Sequence, residues 1–331
     1  PDAAHASGSE LEPKEKAIAI ANYRIVHGAA EMSASAWPTL PLAQWRGTRD
    51  TLQLRLQIIG KVRMSNTPLV NHWWNVPLYV TACGLTTSLM RHPSGEGFQI
   101  DLDLREHALQ ITTVSGPQRS MPLRAGPVSA FYGEFMNHLD GLGLGTSVWS
   151  MPVEIPDAIA FTDDDQHKSY DPEQAQRFWL ALTRMVPVLE RFRSGFVGKA
   201  SPVHLFWGGL DLATTRFSGR TAPPHPGGAP NCGPHVMLEA YSHEVSSCGY
   251  WPDGAAEGLF YSYAYPTPLG YADLPVQPSE AAWSEELGEF VLPYEVVRTA
   301  PNPDETLMTF LDSTYRAAAT TADWDRERLE R

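Results

Sequence analysis

Apolar residues recur along the chain with two periods, and the changes between them mark out the elements. Leu52, Leu56 and Ile59 repeat at helical spacing after Thr48-Arg49-Asp50, which predicts a helix ending at Gly60-Lys61. Residues 98–104 and 107–112 alternate apolar and polar positions strictly, as a hairpin with one wet face does. Residues 120–124 read as a further strand, and Pro127 opens a helix carrying Val128, Phe131, Phe135 and Leu139. A strand is expected at 147–155. Asp171-Pro172-Glu173-Gln174 combines a cap, a first-turn proline and a capping box, and starts a helix through Phe178, Leu182, Met185, Leu189 and Phe192, kinked at Pro187. Asn302-Pro303-Asp304-Glu305 repeats the device before Leu307, Phe310, Leu311 and Tyr315. Further strands are expected from Leu78 onward, at 201–216, at 237–246 and at 259–265. The Pro/Gly-rich stretch 220–234 reads as a surface loop or flap.

This succession predicts an α+β protein, an antiparallel sheet with helices packed on one face. Residues 1–36 are expected to be a mobile arm with a short helix around 14–25. Residues 37–156 and 157–322 form two α+β halves of one compact unit, and 323–331 a charged tail. Each half places a long helix ending in Gly-Lys (Gly60-Lys61, Gly198-Lys199) before a histidine that opens an aromatic strand. Set side by side from those histidines, His72-Trp73-Trp74 meets His204-Leu205-Phe206, and Tyr79 shares a face with Asp211. The match is either a pseudo-two-fold tandem repeat of helix–strands–helix units or chance similarity. A true repeat would put a ligand in the cleft between the halves.

Composition narrows the partners. With 43% hydrophobic residues and ten tryptophans among 331, the chain has ample material for a core. Its 25 Lys and Arg against 38 Asp and Glu give a net charge of −13, which argues against nucleic acid or an anionic membrane as partner. No apolar run approaches the roughly 18 residues of a membrane-spanning helix, and no basic-then-apolar opening marks a signal peptide. The chain begins at Pro1, so its natural start is left open. Cys83, Cys232 and Cys248 form no CxxC or zinc pattern; free thiols in a reducing cytoplasm are expected, with a Cys232–Cys248 pair the alternative in an oxidising compartment. No GxxxxGK[ST], GxGxxG or GxSxG motif is present in a suitable context, so no nucleotide cofactor is implied. The expected partner is a small molecule.

Candidate chemistry gathers on the strand at 201–216. A polar side chain there must find partners or lose roughly 1–3 kcal/mol. His204 is a candidate general base or ligand, and Arg216 a candidate anchor for an anionic group; a core histidine and a structural ion pair are the plainer reading. On an unbroken strand His204 and Arg216 share a face and Asp211 points away, unless Gly208-Gly209 form a bulge. His72 has the same two readings. Trp73, Trp74, Tyr79, Trp207 and Tyr241 are candidate aromatic walls. His243 and Glu244 are further catalytic candidates, facing apart on one strand. His72, His204 and His243 would be the ligands if a metal were bound, although no local spacing speaks for it. His167 and Tyr170, beside the acidic run Asp163-Asp164-Asp165, belong either to a lid presenting a proton donor or to a solvated helix cap. The function these residues suggest is an enzyme acting on a small organic metabolite in an aromatic, histidine-lined pocket, by acid–base or metal-assisted chemistry. A non-catalytic ligand-binding protein and a structural or interaction protein are the alternatives.

Five motifs, Val70-Asn71-His72-Trp73-Trp74, 151–156 (MPVEIP), Ser201-Pro202-Val203-His204, 215–220 (TRFSGR) and 241–245 (YSHEV), resemble a bacterial family catalogued only as a domain of unknown function. The resemblance covers residues 37–331. It implies a bacterial, soluble, single-unit protein and carries no activity, cofactor or catalytic residue with it.

Overall fold

The structure is a computed structural model that describes residues 37–331. The chain divides into Pro1–Trp37 and Pro38–Arg331, and the second unit carries the elements below. The arm and short helix expected within 1–36 lie outside the described residues.

Helix α1, Leu42–Ser65, begins before and ends after the span its apolar spacing predicts. Gly60-Lys61 does not stop it. A Cβ on Gly60 would collide with the Trp207 indole, so this glycine serves close approach across the helix rather than termination. The indole Nε1 donates to the Val76 carbonyl at 2.9 Å, and so locks the contact. Residues Asn71–Trp73 form a 3₁₀ turn with His72 at φ 58° and Trp73 at φ 61°, not the opening of a strand.

The first sheet contains β1 (Tyr79–Val80), β2 (Gly84–Thr86), β3 (Met90–Arg91), β4 (Gly97–Asp103), β5 (Ala108–Thr113) and β6 (Gln118–Pro122). Its order is β1-β2-β4-β5-β6, with β3 also on β4, and every pairing is antiparallel. The β4–β5 hairpin buries Phe98, Ile100 and Leu102 against Leu109 and Ile111, as strict alternation requires. Helix α2 (Val128–Gly141) follows, then α3 (Pro172–Ser194). Asp171 caps α3 by accepting from the Glu173 and Gln174 amides at 2.9 and 3.2 Å. Pro187 is accommodated inside the helix.

The second sheet contains β7 (His204–Phe206), β8 (Asp211–Thr221), β9 (His243–Trp251), β10 (Leu259–Tyr265), β11 (Ala282–Ser284) and β12 (Glu289–Pro293), in the order β11-β12-β10-β9-β8-β7. The strand expected from 237 starts only at His243, because Pro234 opens a short helix α4, Pro234–Ala240. Helices α5 (Tyr294–Thr299), α6 (Pro303–Thr321) and α7 (Arg326–Leu329) complete the unit. The stretch 323–331 is docked rather than loose: Trp324 is buried, Val197 N–H donates to Leu329 O at 2.8 Å, and Arg331 N–H to Gly195 O at 3.1 Å.

The two sheets meet where Leu78 and Leu205 exchange backbone hydrogen bonds of 2.9 and 2.8 Å. One face of the second sheet packs on α3 and α6; the other is free to line a cavity. Each half runs from a long helix through an antiparallel sheet to further helices. The proposed twin segments differ, however, since His72–Trp74 is a helical turn where His204–Phe206 is a strand.

Candidate functional site

The free face of the second sheet lines a cavity of about 1070 Å³. Period two explains the selection. Asp211, Ala213, Thr215 and Phe217 of β8, Val245 and Ser247 of β9, Tyr261 and Tyr263 of β10, and Glu289 of β12 all face it. Opposite them stand α1, the irregular stretch 147–159, the 3₁₀ turn and α4.

Two carboxyl groups meet there, and a third lines the same cavity. Asp211 opens β8 just after the Gly208-Gly209 turn, and accepts a hydrogen bond from the Tyr261 hydroxyl at 2.5 Å. Tyr261 lies two strands away, across β9. It reaches Asp211 because Gly249 intervenes without a side chain; a Cβ there would stand 2.7 Å from the phenolic oxygen.

Glu154 is held at φ 60°, a left-handed conformation that costs an ordinary residue about 1–2 kcal/mol. Its backbone is pinned on both sides. Gln57 donates to Val153 O at 2.9 Å and accepts from Val153 N–H at 2.9 Å, while Glu154 N–H donates to Pro230 O at 2.8 Å. Gln53 and Gln57 also donate to Gly208 O, at 2.5 and 3.3 Å, so one face of α1 fixes both segments that bear carboxyls. The Glu154 carboxyl lies against Gly208, where any Cβ would collide with it. A Cβ on Gly209 would be 3.2 Å from Asp211 Oδ1 and 3.7 Å from Glu154 Oε2, which puts the two carboxyls on either side of one point.

Glu289 faces the same space from β12. Desolvation by the surrounding protein raises the pKa of all three acids, although Glu154 is exposed and Asp211 and Glu289 are half-buried. Glu154 and Glu289 rise to about 7, first through desolvation and then through the nearby Asp211 charge; Asp211 rises to about 6, with the Tyr261 hydrogen bond opposing the shift. Such groups exchange protons near neutrality and can act as acid or base.

Beside them, Lys61 donates to Trp149 O at 3.1 Å and Met151 O at 2.6 Å, and lies over the Trp149 and Phe161 rings at 4.8 and 5.6 Å. Burial lowers its pKa to about 8. At another part of the wall, Lys199 Nζ donates to His72 Nε2 at 2.6 Å and His72 Nδ1 donates to Ala240 O at 3.1 Å. That pattern specifies a neutral imidazole, and burial together with Lys199 holds its pKa below the ordinary value.

Of the residues singled out in the sequence, Asp211, His72, Trp73, Trp74, Trp207, Tyr241 and His167 line the cavity. His167 Nδ1 is 2.8 Å from Asp164 Oδ2, so it is tied to its own acidic loop. Tyr170 turns elsewhere, its hydroxyl 2.9 Å from His107 Nδ1.

Arg216 lies on the far face of the sheet, its guanidinium 3.5 Å from the Phe192 and 4.2 Å from the Tyr315 ring centroids. It does not share a strand with His204: Gly208-Gly209 belong to a turn that reverses the chain, so parity along one strand does not apply. His204 is 1% exposed and stands among Tyr79, Phe206 and two arginines, with its pKa driven down to about 3 by burial and then by Arg63 and Arg193. Tyr79 packs with it rather than on the cavity wall. His243 lies edge-on to His72 at 5.7 Å, apart from His204, so the three imidazoles expected to serve a metal are not assembled. Among the described residues no three His, Cys, Asp or Glu side chains are grouped to hold one. Glu244 accepts from Ser218 Oγ and Arg220 Nε, both at 2.8 Å, on a separate small cavity.

Glu154, Glu289, Tyr261 and Tyr263 escaped the sequence reading. Glu154 stood within the 151–156 motif, and the aromatic alternation of β10 marked Tyr261 and Tyr263 as sharing a face.

Fold and cavity together define an α+β protein with a carboxyl-bearing aromatic cavity. By sequence the chain belongs to DUF5996, a family of unknown function, whose pattern matches residues 37–331. No curated protein and no solved structure matches it.

Proposed function

We propose that this protein is an enzyme acting on a small organic metabolite by general acid–base catalysis, with Glu154, Asp211 and Glu289 as the proton-transferring groups. The observation that carries this reading is the meeting of Glu154 and Asp211 at the Gly208-Gly209 turn, where both acids titrate near neutrality. Tyr261 tunes and orients Asp211. Gln57 is a positioning residue that keeps Glu154 in its left-handed conformation. The aromatic wall, including Trp207 and Tyr263, packs the substrate. The setting proposed is a bacterial cytoplasm, in keeping with three free cysteines. Among the described residues no helix is long and apolar enough to cross a membrane.

The test is comparative metabolite depletion. Wild type and Glu154→Gln are incubated with a small-molecule extract and followed by mass spectrometry. At least one compound is consumed by wild type and spared by the variant. Should both proteins only retain a compound unchanged, the cavity is a binding site without turnover.

A further inference from the structure

Left-handed backbone gathers around the cavity. His72 (φ 58°), Trp73 (φ 61°), Glu154 (φ 60°), Asp157 (φ 52°) and Asn231 (φ 55°) all line it, and none is a glycine. Such a conformation is strained for a residue with a side chain, and persists only where surrounding contacts over-determine it. At His72, Trp73 and Glu154 those contacts run through one segment, residues 230–240, which borders the cavity as a strap.

At one end of the strap, Pro230 O accepts from Glu154 N–H at 2.8 Å, and Asn231 Nδ2 donates to Ile155 O at 3.4 Å. At the other end stands α4, none of whose residues is buried. With no buried side chain to anchor it, this helix is held by the 3₁₀ turn. His72 N–H donates to Glu239 Oε1 at 2.8 Å, His72 Nδ1 to Ala240 O at 3.1 Å, and Trp73 Nε1 to Val236 O at 2.9 Å. The two left-handed residues of the turn are the two that donate. Lys199, donating to His72 Nε2 at 2.6 Å, fixes the imidazole proton on the nitrogen that faces α4.

We propose that His72 and Trp73 are positioning residues for Glu154 that act through the strap: latching α4 to the 3₁₀ turn keeps Pro230 on the Glu154 amide and so sets its carboxyl beside Asp211. The proposal deepens the acid–base reading and rests on it for the role of Glu154. When α4 is released, Pro230 no longer pins that amide, the left-handed strain relaxes, and the carboxyl turns away from Asp211 toward water. Asp211 from β8, with Cys232 and Tyr241 at the two ends of the strap, are the titratable groups whose fields reach that carboxyl. Losing the packing around it returns the acid toward its ordinary range.

Trp73→Phe removes one donor of the latch and keeps an aromatic ring in place. The amides of Val236, Tyr241 and Ser242 have their acceptors in the strap. Hydrogen exchange on the full chain, followed by NMR, should show them exchanging at least about fivefold faster in the variant, with β10 amides unchanged. In the same variant the carbon-13 titration midpoint of Glu154 should fall from about 7 toward the usual carboxylate range. Glu239→Ala, which removes an acceptor instead of a donor, should act in the same direction. Leu238→Ala, at an exposed position of α4, should alter neither readout. Strap exchange unchanged in both latch variants, or equally accelerated in β10, would overturn the latch. A wild-type midpoint near 7 that the latch variants leave in place would overturn the positioning role alone. A wild-type midpoint near 4 would remove the acid–base reading and this proposal with it.

Discussion

Neither ring nitrogen of His204 has a hydrogen-bond partner among the described residues, and the side chain is almost fully buried. An unsatisfied buried polar group costs about 1–3 kcal/mol, so His204→Leu should stabilise the protein by about 1 kcal/mol at pH 7 in urea melts. The pH dependence has a definite sign. The folded-state pKa lies near 3 against 6.5 in the unfolded chain, so the wild type loses stability as pH falls below about 6.5. The advantage of the variant should therefore widen at pH 5; equal gains at both pH values would contradict the burial argument. Gln57 is the opposite case, fully buried and joined to Val153 and Gly208. Gln57→Leu leaves those backbone groups unpaired and should lower stability by about 1–3 kcal/mol, with a larger loss of turnover than of fold. Activity falling only in proportion to the folded fraction would remove its positioning role. Asp211 was legible in the sequence because a carboxylate in an apolar strand demands a reason. His204 raised the same question, and its answer lay in a tightly packed pocket of aromatic rings and arginines that no local pattern reveals.

At the scale of elements, helix caps and strict alternation carried most of the information. The Asp171 and Asn302 caps and the β4–β5 hairpin depend on neighbours a few residues away, and their positions follow directly from the residue pattern. Elements set by distant contacts did not. Gly60 looks like a helix stop until Trp207 is seen resting on it, and His72–Trp73 reads as strand until the left-handed turn is seen. The stretch 147–155 looks extended, yet Gln57 and Lys61 of α1 hold it in irregular form. The second sheet offers its own test at Gly249, the gap through which Tyr261 reaches Asp211. Gly249→Ala should break that hydrogen bond, raise the Asp211 pKa further and lower the melting temperature by several degrees, on the order of 1–3 kcal/mol. Tyr261→Phe should raise the same pKa with a smaller thermal loss. Identical titration of Asp211 in wild type and both variants would show that the contact does not govern the carboxyl.

Across the whole molecule, the carboxyl trio links the cavity to stability. Each acid has a folded-state pKa above its unfolded value, so its favourable contribution is present below about pH 4 and is lost as pH rises through 6 to 7. His204 acts in the reverse direction over an overlapping range. Glu154→Gln with Glu289→Gln should flatten the decline between pH 5 and 8 in denaturant melts, and a decline unchanged by the pair would assign it to other groups. The central claim is that three acids in one cavity share protons near neutrality. Carbon-13 NMR titration of the side-chain carboxyls, assigned through Glu154→Gln, Asp211→Asn and Glu289→Gln, addresses it most directly. The account predicts midpoints of about 7 for Glu154 and Glu289 and about 6 for Asp211. Midpoints near 4 for all three, as for carboxyls in open water, would contradict it.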